Sequence, residues 1–247
     1  MNDYIIYGTL TLFLSILFSM GGAGSGVALI PILNLLGINF TLAKAIGLFA
    51  GATTTITSSI MNIKRKVVDY KFVFPIASMM LLFAPVGAYS SRFIDENIVK
   101  FLFMIMLFYS ATMMMFGKKK ALFSIDNIYT LFIVGGVVGF LSGLLGVGGG
   151  NILIPILTLL GFAPKKVAVA VSFVVPFSAL SSFFTYASYV DLDYTLLFIV
   201  ALSAIIGGYI GNYMMQFKLE QKHIKKLMAL LLYILAFKLL IYFIHQT

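Results

Sequence analysis

The chain has no cysteine, and of its 247 residues only eight are acidic and two are histidine. Without cysteine there is no disulfide, no thiolate metal ligand and no persulfide relay. The acids are Asp3, Asp69, Asp95, Glu96, Asp126, Asp191, Asp193 and Glu220, and all fall at or near the ends of apolar runs. No carboxylate is therefore expected at the middle of a membrane, where carriers that bind cations or relay protons place Asp, Glu or His. His223 lies in a basic loop and His245 at the C-terminus, so neither is placed for a relay. With no cysteine, no central histidine and no carboxylate pair, neither a catalytic triad nor a metal set can be assembled, which argues against an intramembrane enzyme. No cofactor is expected.

Charge of either sign is scarce: 10% of residues are charged and 61% are hydrophobic, with a mean hydropathy of +1.07. Soluble domains carry roughly a quarter charged residues. Lipid must be the solvent for most of this surface, and a membrane helix uses about 20 apolar residues, so the chain holds roughly eight to ten segments and almost no extramembrane domain. The net charge of +9 sits in short clusters between apolar runs. That pattern sets topology and touches anionic lipid as a by-product; it does not point to nucleic acid. Met1-Asn2-Asp3 lacks a basic n-region, so the first apolar run is expected to be retained rather than cleaved.

What the sequence does have is glycine, arranged twice. GGAGSGVALIPILNLLG from Gly21 to Gly37 returns as LGVGGGNILIPILTLLG from Leu145 to Gly161 without a gap. The interval of 124 residues between Pro31 and Pro155 also separates Asp69-Tyr70 from Asp193-Tyr194, and Gly87 and Tyr89 from Gly211 and Tyr213. One inserted residue then places Ile94-Asp95 on Leu219-Glu220 and Lys100 on Lys225. The chain reads as a duplication, with a first repeat at 1–116, a cytoplasmic linker at 117–127 and a second repeat at 128–247.

Each half divides into five apolar segments: Tyr4 to Met20, Val27 to Leu36, Leu42 to Ile63, Phe72 to Ser91 and Ile98 to Phe116, then Ile128 to Leu145, Ile152 to Leu160, Val167 to Val190, Tyr194 to Phe217 and Ile224 to Ile244. The second of each set spans only about 15 Å as helix, too short to cross, which predicts a re-entrant piece. If it forms a hairpin with the segment before it, each half makes an odd number of passes and the second half enters upside down. Lysine placement agrees. With the N-terminus outside, Lys64-Arg65-Lys66, Lys118-Lys119-Lys120, Lys165-Lys166 and the Lys218 to Lys226 loop are all cytoplasmic, and the outside receives Asp3, Asp191 and Asp193, with Lys44, Arg92 and Lys100 as exceptions. The expected fold is an all-α integral membrane domain of two inverted repeats in a cell membrane. Lys238, the deepest charge on this reading, is expected to snorkel.

Gly22, Gly24 and Gly26, and in the second copy Gly146, Gly148, Gly149 and Gly150, precede the Ile-Pro-Ile-Leu runs of Pro31 and Pro155. A break followed by a new helix start exposes N–H donors and the positive end of a helix dipole, which favours an anion. Ser25 and Asn151 are candidates to cap those starts. Packing of small residues four apart is the competing reading, and it suits Gly135 with Gly139 and Gly143, Gly47 with Gly51, and Gly207 with Gly211. It suits Gly146-Val147-Gly148-Gly149-Gly150 poorly, because each glycine costs a helix about 1 kcal/mol relative to alanine. Hydroxyls recur at the same interval: Thr54 over Ser178, Thr57 over Ser181 and Ser58 over Ser182, each set on one helix face. They can bind sulfonyl or carboxyl oxygens, or bond their own helix.

On the motifs from Gly22 to Pro31 and from Gly146 to Pro155, the chain resembles the TauE/SafE family of sulfite exporters. The resemblance implies a permease that exports small sulfur-containing anions such as sulfite or sulfoacetate, other organic anions being possible. The first copy departs from the second in having Ala23 and Ser25 where the second has Val147 and Gly149. The expected function is secondary transport of such an anion by alternating access between the repeats. The alternative from another class is a membrane interaction protein that moves no solute.

Overall fold

The computed structural model describes residues 2–116, 127–217 and 221–246, and it is helical almost throughout. The helices are α1 (Asn2–Met20), α2 (Gly26–Leu35), α3 (Phe40–Lys64), α4 (Tyr70–Ser90), α5 (Glu96–Phe116), α6 (Ile128–Leu145), α7 (Gly150–Leu159), α8 (Pro164–Ala187), α9 (Tyr194–Phe217) and α10 (Gln221–Gln246). A 3-10 turn, Ser91–Phe93, follows α4. Among the described residues seven helices are long and apolar enough to cross a membrane: α1, α4 with its 3-10 turn, α5, α6, α8, α9 and α10. This is a multi-pass membrane protein. The 25-residue α3 is long enough to cross but carries Lys44 and a run of hydroxyls from Thr53 to Ser59, while α2 and α7 have only ten residues each.

Polar side chains at the segment boundaries start the helices. Asn39 accepts from Thr41 N at 2.9 Å, Asn127 from Tyr129 N at 3.1 Å, and Asp193 from Thr195 N and Leu196 N at 2.9 and 3.1 Å. Asp69 caps α4 through Phe72 N, and Pro164 occupies the first turn of α8, where its missing N–H costs nothing. Lys118-Lys119-Lys120, Asp126, Glu220 and the linker up to residue 126 lie outside the described residues. The segment expected as a loop from Lys218 to Lys226 is already helix from Gln221 onward.

Small residues set the packing, because in lipid close van der Waals approach must replace the hydrophobic drive. Gly135, Gly139 and Gly143 of α6 lie against the α4 backbone at Ile76, Met80 and Ala84, while Gly87 of α4 lies against Phe140 and Leu144. Gly207 and Gly211 of α9 sit likewise on Leu12 to Ser19 of α1. Both pairs run parallel. α3 and α8 run antiparallel, with Phe49 beside Phe183 and Asn62 bonded to Ser172. So do α5 and α10, with Phe101 beside Phe243 and Thr112 bonded to Tyr233.

Two ends of the bundle can be told apart. Lys166, in the first turn of α8, pairs with Asp69 at 2.9 Å. Just past the far end of α8, Asp193 accepts from the Tyr4 hydroxyl at 2.7 Å. These are called the Asp69 face and the Asp193 face below. Arg65, which donates to Asn212 at 2.9 Å, belongs to the Asp69 face.

Candidate functional site

At the end of α6 the chain must reverse within a few residues, and the backbone does so through Gly146, Gly148 and Gly149 at φ +76°, +70° and +79°. L-residues with a Cβ rarely occupy this region, so the triple glycine is a conformational requirement of the break. Between Gly21 and Gly26 of the first copy only Gly22, at φ +79°, is left-handed. There Gly24 and Gly26 serve close approach instead: a Cβ on Gly24 would sit 2.8 Å from Gly51 Cα, and Gly26 lies on the carbonyl of Gly47. The two breaks come together in the bundle interior, where a Cβ on Gly150 would be 3.5 Å from that of Ala23. Contacts repeat across the duplication as well. Gly22 abuts Ala168 and Gly146 abuts Lys44, and each residue of one contact is 124 positions from its counterpart in the other.

Pro31 and Pro155 are buried as the sixth residues of α2 and α7. The capping expectation fails on both helices. Ser25 stands at the N-cap of α2 in helical conformation and its hydroxyl makes no cap bond. It instead joins a buried triangle, accepting from Ser15 at 3.0 Å and meeting Thr54 at 3.2 Å, with Thr54 donating to Ser15 at 3.0 Å. In α7 the cap position belongs to left-handed Gly149, which leaves Asn151 inside the first turn.

The hydroxyl stripes are partnered differently in the two halves. Ser58 meets Ser19 at 2.8 Å, and Ser19 donates to the Gly208 carbonyl. Thr57 bonds its own helix at Thr53 O. On α8, Ser178 donates to the Gly148 carbonyl at 2.8 Å, tying the stripe directly to the second break, and Ser181 bonds back to Ser178 O. Ser182 Oγ and Asn151 Oδ1 are buried with no hydrogen-bond partner. Asn212 Nδ2 is the third such atom among the described residues; most buried polar atoms in proteins are satisfied, so these three stand out. Ser15 and Ser19, four apart on α1, were missed in the sequence; their spacing on one face is the signal that could have found them.

The larger correction concerns charge. Lys238 is exposed, whereas Lys44 and Lys100, expected among the outward exceptions, are 2% and 6% exposed. Lys100 pairs with Glu96 at 2.7 Å. Lys44 donates to Ser91 Oγ at 2.7 Å and lies 4.7 Å from the Tyr186 ring centroid and 5.2 Å from that of Phe40. Its aliphatic stem covers Gly146. On the Asp193 face, Lys44, Ser91, Arg92, Glu96 and Tyr189 line a cavity of ≈ 370 Å³. The counterpart on the Asp69 face, lined by Met20, Gly21, Ile154, Pro164, Ala168 and Ile224, amounts to ≈ 10 Å³. Among the described residues no group of His, Cys, Asp and Glu is placed to hold a metal ion.

Relatives match along nearly the whole chain. A protein of Methanocaldococcus jannaschii described as a probable membrane transporter is 30% identical over 92% of this chain and 91% of its own length. Another so described, from Bacillus subtilis, is 28% identical over 96% of this chain and 97% of its own length. No solved structure matches. The family described as Sulfite exporter TauE/SafE matches residues 7–239, which takes in both glycine breaks, both Ile-Pro-Ile-Leu helices and all seven crossing helices in whole or in large part. The chain, with its paired broken helices inside a multi-pass bundle, therefore belongs to the TauE/SafE family of membrane transporters.

Proposed function

We propose that this protein is a secondary transporter that exports small sulfur-containing anions, sulfite or organosulfonates, by alternating access between two inverted repeats, 1–116 and 128–247, joined by a cytoplasmic linker at 117–127. The observation that carries this is the meeting of two glycine breaks at Gly150 and Ala23, with an open cavity toward one face and its counterpart nearly closed toward the other. A carrier caught open to one side has this asymmetry, and broken helices in corresponding positions of two halves are where such carriers bind. Antiparallel contact between the equivalent helices α3 and α8, and contacts repeated at the 124-residue interval, support the inverted arrangement. Substrate recognition falls to Gly22, Gly24, Ser25, Gly26, Pro31, Thr54, Thr57 and Ser58 in one half, and to Gly146, Gly148, Gly149, Gly150, Asn151, Pro155, Ser178, Ser181 and Ser182 in the other. Backbone N–H groups, hydroxyls and the unpartnered Asn151 and Ser182 atoms supply the donors and acceptors. The N–H donors at the α7 start suit an oxyanion better than the saturated hydroxyl triangle of the first half does.

Purified protein in sealed liposomes tests the reading. Sulfite, thiosulfate, sulfoacetate and sulfate are loaded one at a time, and efflux is compared with protein-free vesicles. Protein-dependent movement of at least one sulfur oxyanion is expected. Absence of flux for all four would remove the transport reading and favour a membrane interaction protein.

A further inference from the structure

Lys44 is a buried lysine that makes no ion pair with a carboxylate of the described residues. Among the described residues the ion pairs are Lys100 with Glu96 and Lys166 with Asp69. Lys44 has one hydroxyl, from Ser91, and two aromatic faces. Ring faces contribute about 0.5–2 kcal/mol to a cation, well short of what removing an ammonium from water costs. Arg92, at the wall of the same cavity, lies 5.7 Å from the Tyr189 ring and also has no carboxylate partner. Glu96 is the one acid in the lining, and its charge is already matched by Lys100. The cavity thus presents two basic side chains that form no ion pair, Lys44 at its floor and Arg92 at its wall. At ≈ 370 Å³ it has room for a small oxyanion and several waters, each water taking about 30 Å³.

The position of the floor gives this charge a direction. The stem of Lys44 lies on Gly146, the first residue of the second glycine break, where a Cβ would come within 2.6–2.8 Å of three of its carbons. Glycine at this point lets the lysine reach across the end of α6, and an anion held by its ammonium stands next to the break. Tyr186, whose ring flanks the ammonium, donates its hydroxyl to the Gly143 and Leu144 carbonyls, so the same contact fixes the last turn of α6.

We propose that Lys44, Ser91 and Arg92 form an anion-binding site in the Asp193-face cavity, which receives a free small oxyanion adjoining the second glycine break. This site rests on the transport reading for its biological use, and its chemistry stands apart from it. Lys44 and Arg92 meet the charge of the anion, the Ser91 hydroxyl orients the Lys44 head group, and the Phe40 and Tyr186 rings flank it without supplying a counter-charge, so an arriving anion favours its charged form.

The test is equilibrium binding of sulfite to the purified protein in uncharged detergent, run beside the liposome assay. Wild type is expected to bind sulfite, and Lys44→Met to weaken it about tenfold or more, the scale of losing a charge-assisted hydrogen bond. Arg92→Gln, on an exposed residue that folding tolerates, is expected to weaken it about threefold. Unchanged affinity in Lys44→Met overturns the site; should that variant not fold, unchanged affinity in Arg92→Gln does so. No binding of sulfite, thiosulfate or sulfoacetate by wild type also overturns it. A third arm offers short-chain phosphatidylglycerol, and binding of that lipid without sulfite overturns the free-anion assignment. Sulfite bound through Lys44 with no flux would leave the site standing and remove the transport reading. Flux with Lys44→Met unaltered in binding and rate would do the reverse.

Discussion

Asp69 and Asp193 occupy matched positions and do matched work at opposite ends of the bundle. Each caps a long helix, and each takes one further donor: Lys166 for Asp69, the Tyr4 hydroxyl for Asp193. Those donors hold both carboxyls below the ordinary carboxylate range, the Lys166 hydrogen bond being the main cause at Asp69 and the Tyr4 hydrogen bond at Asp193. A depressed pKa in the folded state means stability that is present above the unfolded value of about 3.9 and is lost as pH falls through the lower folded value. The Asp69–Lys166 side chains are 46% and 42% exposed, so solvent screening limits the pair to at most about 1 kcal/mol. Asparagine can still cap α4, so Asp69→Asn isolates the pair from the cap. Thermal unfolding in detergent should show a slightly lower midpoint for Asp69→Asn at pH 7, and a shallower loss of stability below about pH 4. An acid limb identical to wild type would mean that Asp69 contributes nothing through Lys166. The place of these acids at the ends of apolar runs was legible in the sequence, because it depends only on the few residues around them. The burial of Lys44 was not, because it is produced by Tyr186 and Gly146, more than 100 residues away, and a lysine one turn into an apolar run looks the same whether it turns outward or inward.

At the scale of helices, the apolar runs predicted the segments to within a few residues, and the two ten-residue helices appear where the proline motifs placed them. Length and hydropathy are local, and lipid leaves few alternatives to a helix once a run is apolar. Which helices touch was not legible, since glycine faces on α1, α4, α6 and α9 could pair in several ways. The structure pairs α4 with α6 and α1 with α9, and it distinguishes glycines that look alike in sequence. A Cβ on Gly87 would collide with the Phe140 carbonyl and the Leu144 N, which are backbone and cannot yield. A Cβ on Gly136 would lie 3.7 Å from the Phe83 ring, an ordinary contact. Gly87→Ala should therefore destabilise the protein by about 1–3 kcal/mol through overpacking. Gly136→Ala should stabilise it by up to about 1 kcal/mol through helix propensity. Denaturation midpoints of the two variants in the same detergent measure this, and shifts of the same sign would show that the α4–α6 contact does not discriminate between them.

For the whole molecule, the duplication fixes more than a count of helices. Two copies of one sequence in the same orientation would present like loops to like faces, yet the first copy has Lys64-Arg65-Lys66 where the second has Ser188-Tyr189-Val190 beside Asp191 and Asp193. The contacts place these loops apart: Asp69, just after the first lysine cluster, meets Lys166 beside Lys165, whereas Asp193 meets Tyr4 at the other end of α8. Positive charge then collects on the Asp69 face, and the positive-inside bias predicts a cytoplasmic position for that face. On that prediction the Lys44 cavity opens outward, and the much smaller cavity at Met20 and Ala168 faces the cell interior. The proposed exporter would release its load through an outward-open state, so the orientation decides how the cavity is used. Because the chain has no cysteine, single cysteines report their side without background. Lys64→Cys, Lys165→Cys and Ser188→Cys are suitable, since all three positions are exposed, whereas Arg65 is held by Asn212. A membrane-impermeant maleimide applied to intact cells should label position 188 and leave 64 and 165 unlabelled until the membrane is permeabilised. Labelling of 64 and 165 from opposite sides would defeat the inverted arrangement itself. Labelling of both from outside, with 188 protected, would keep that arrangement but reverse the molecule, making the Lys44 cavity the cytoplasmic loading site for the anion.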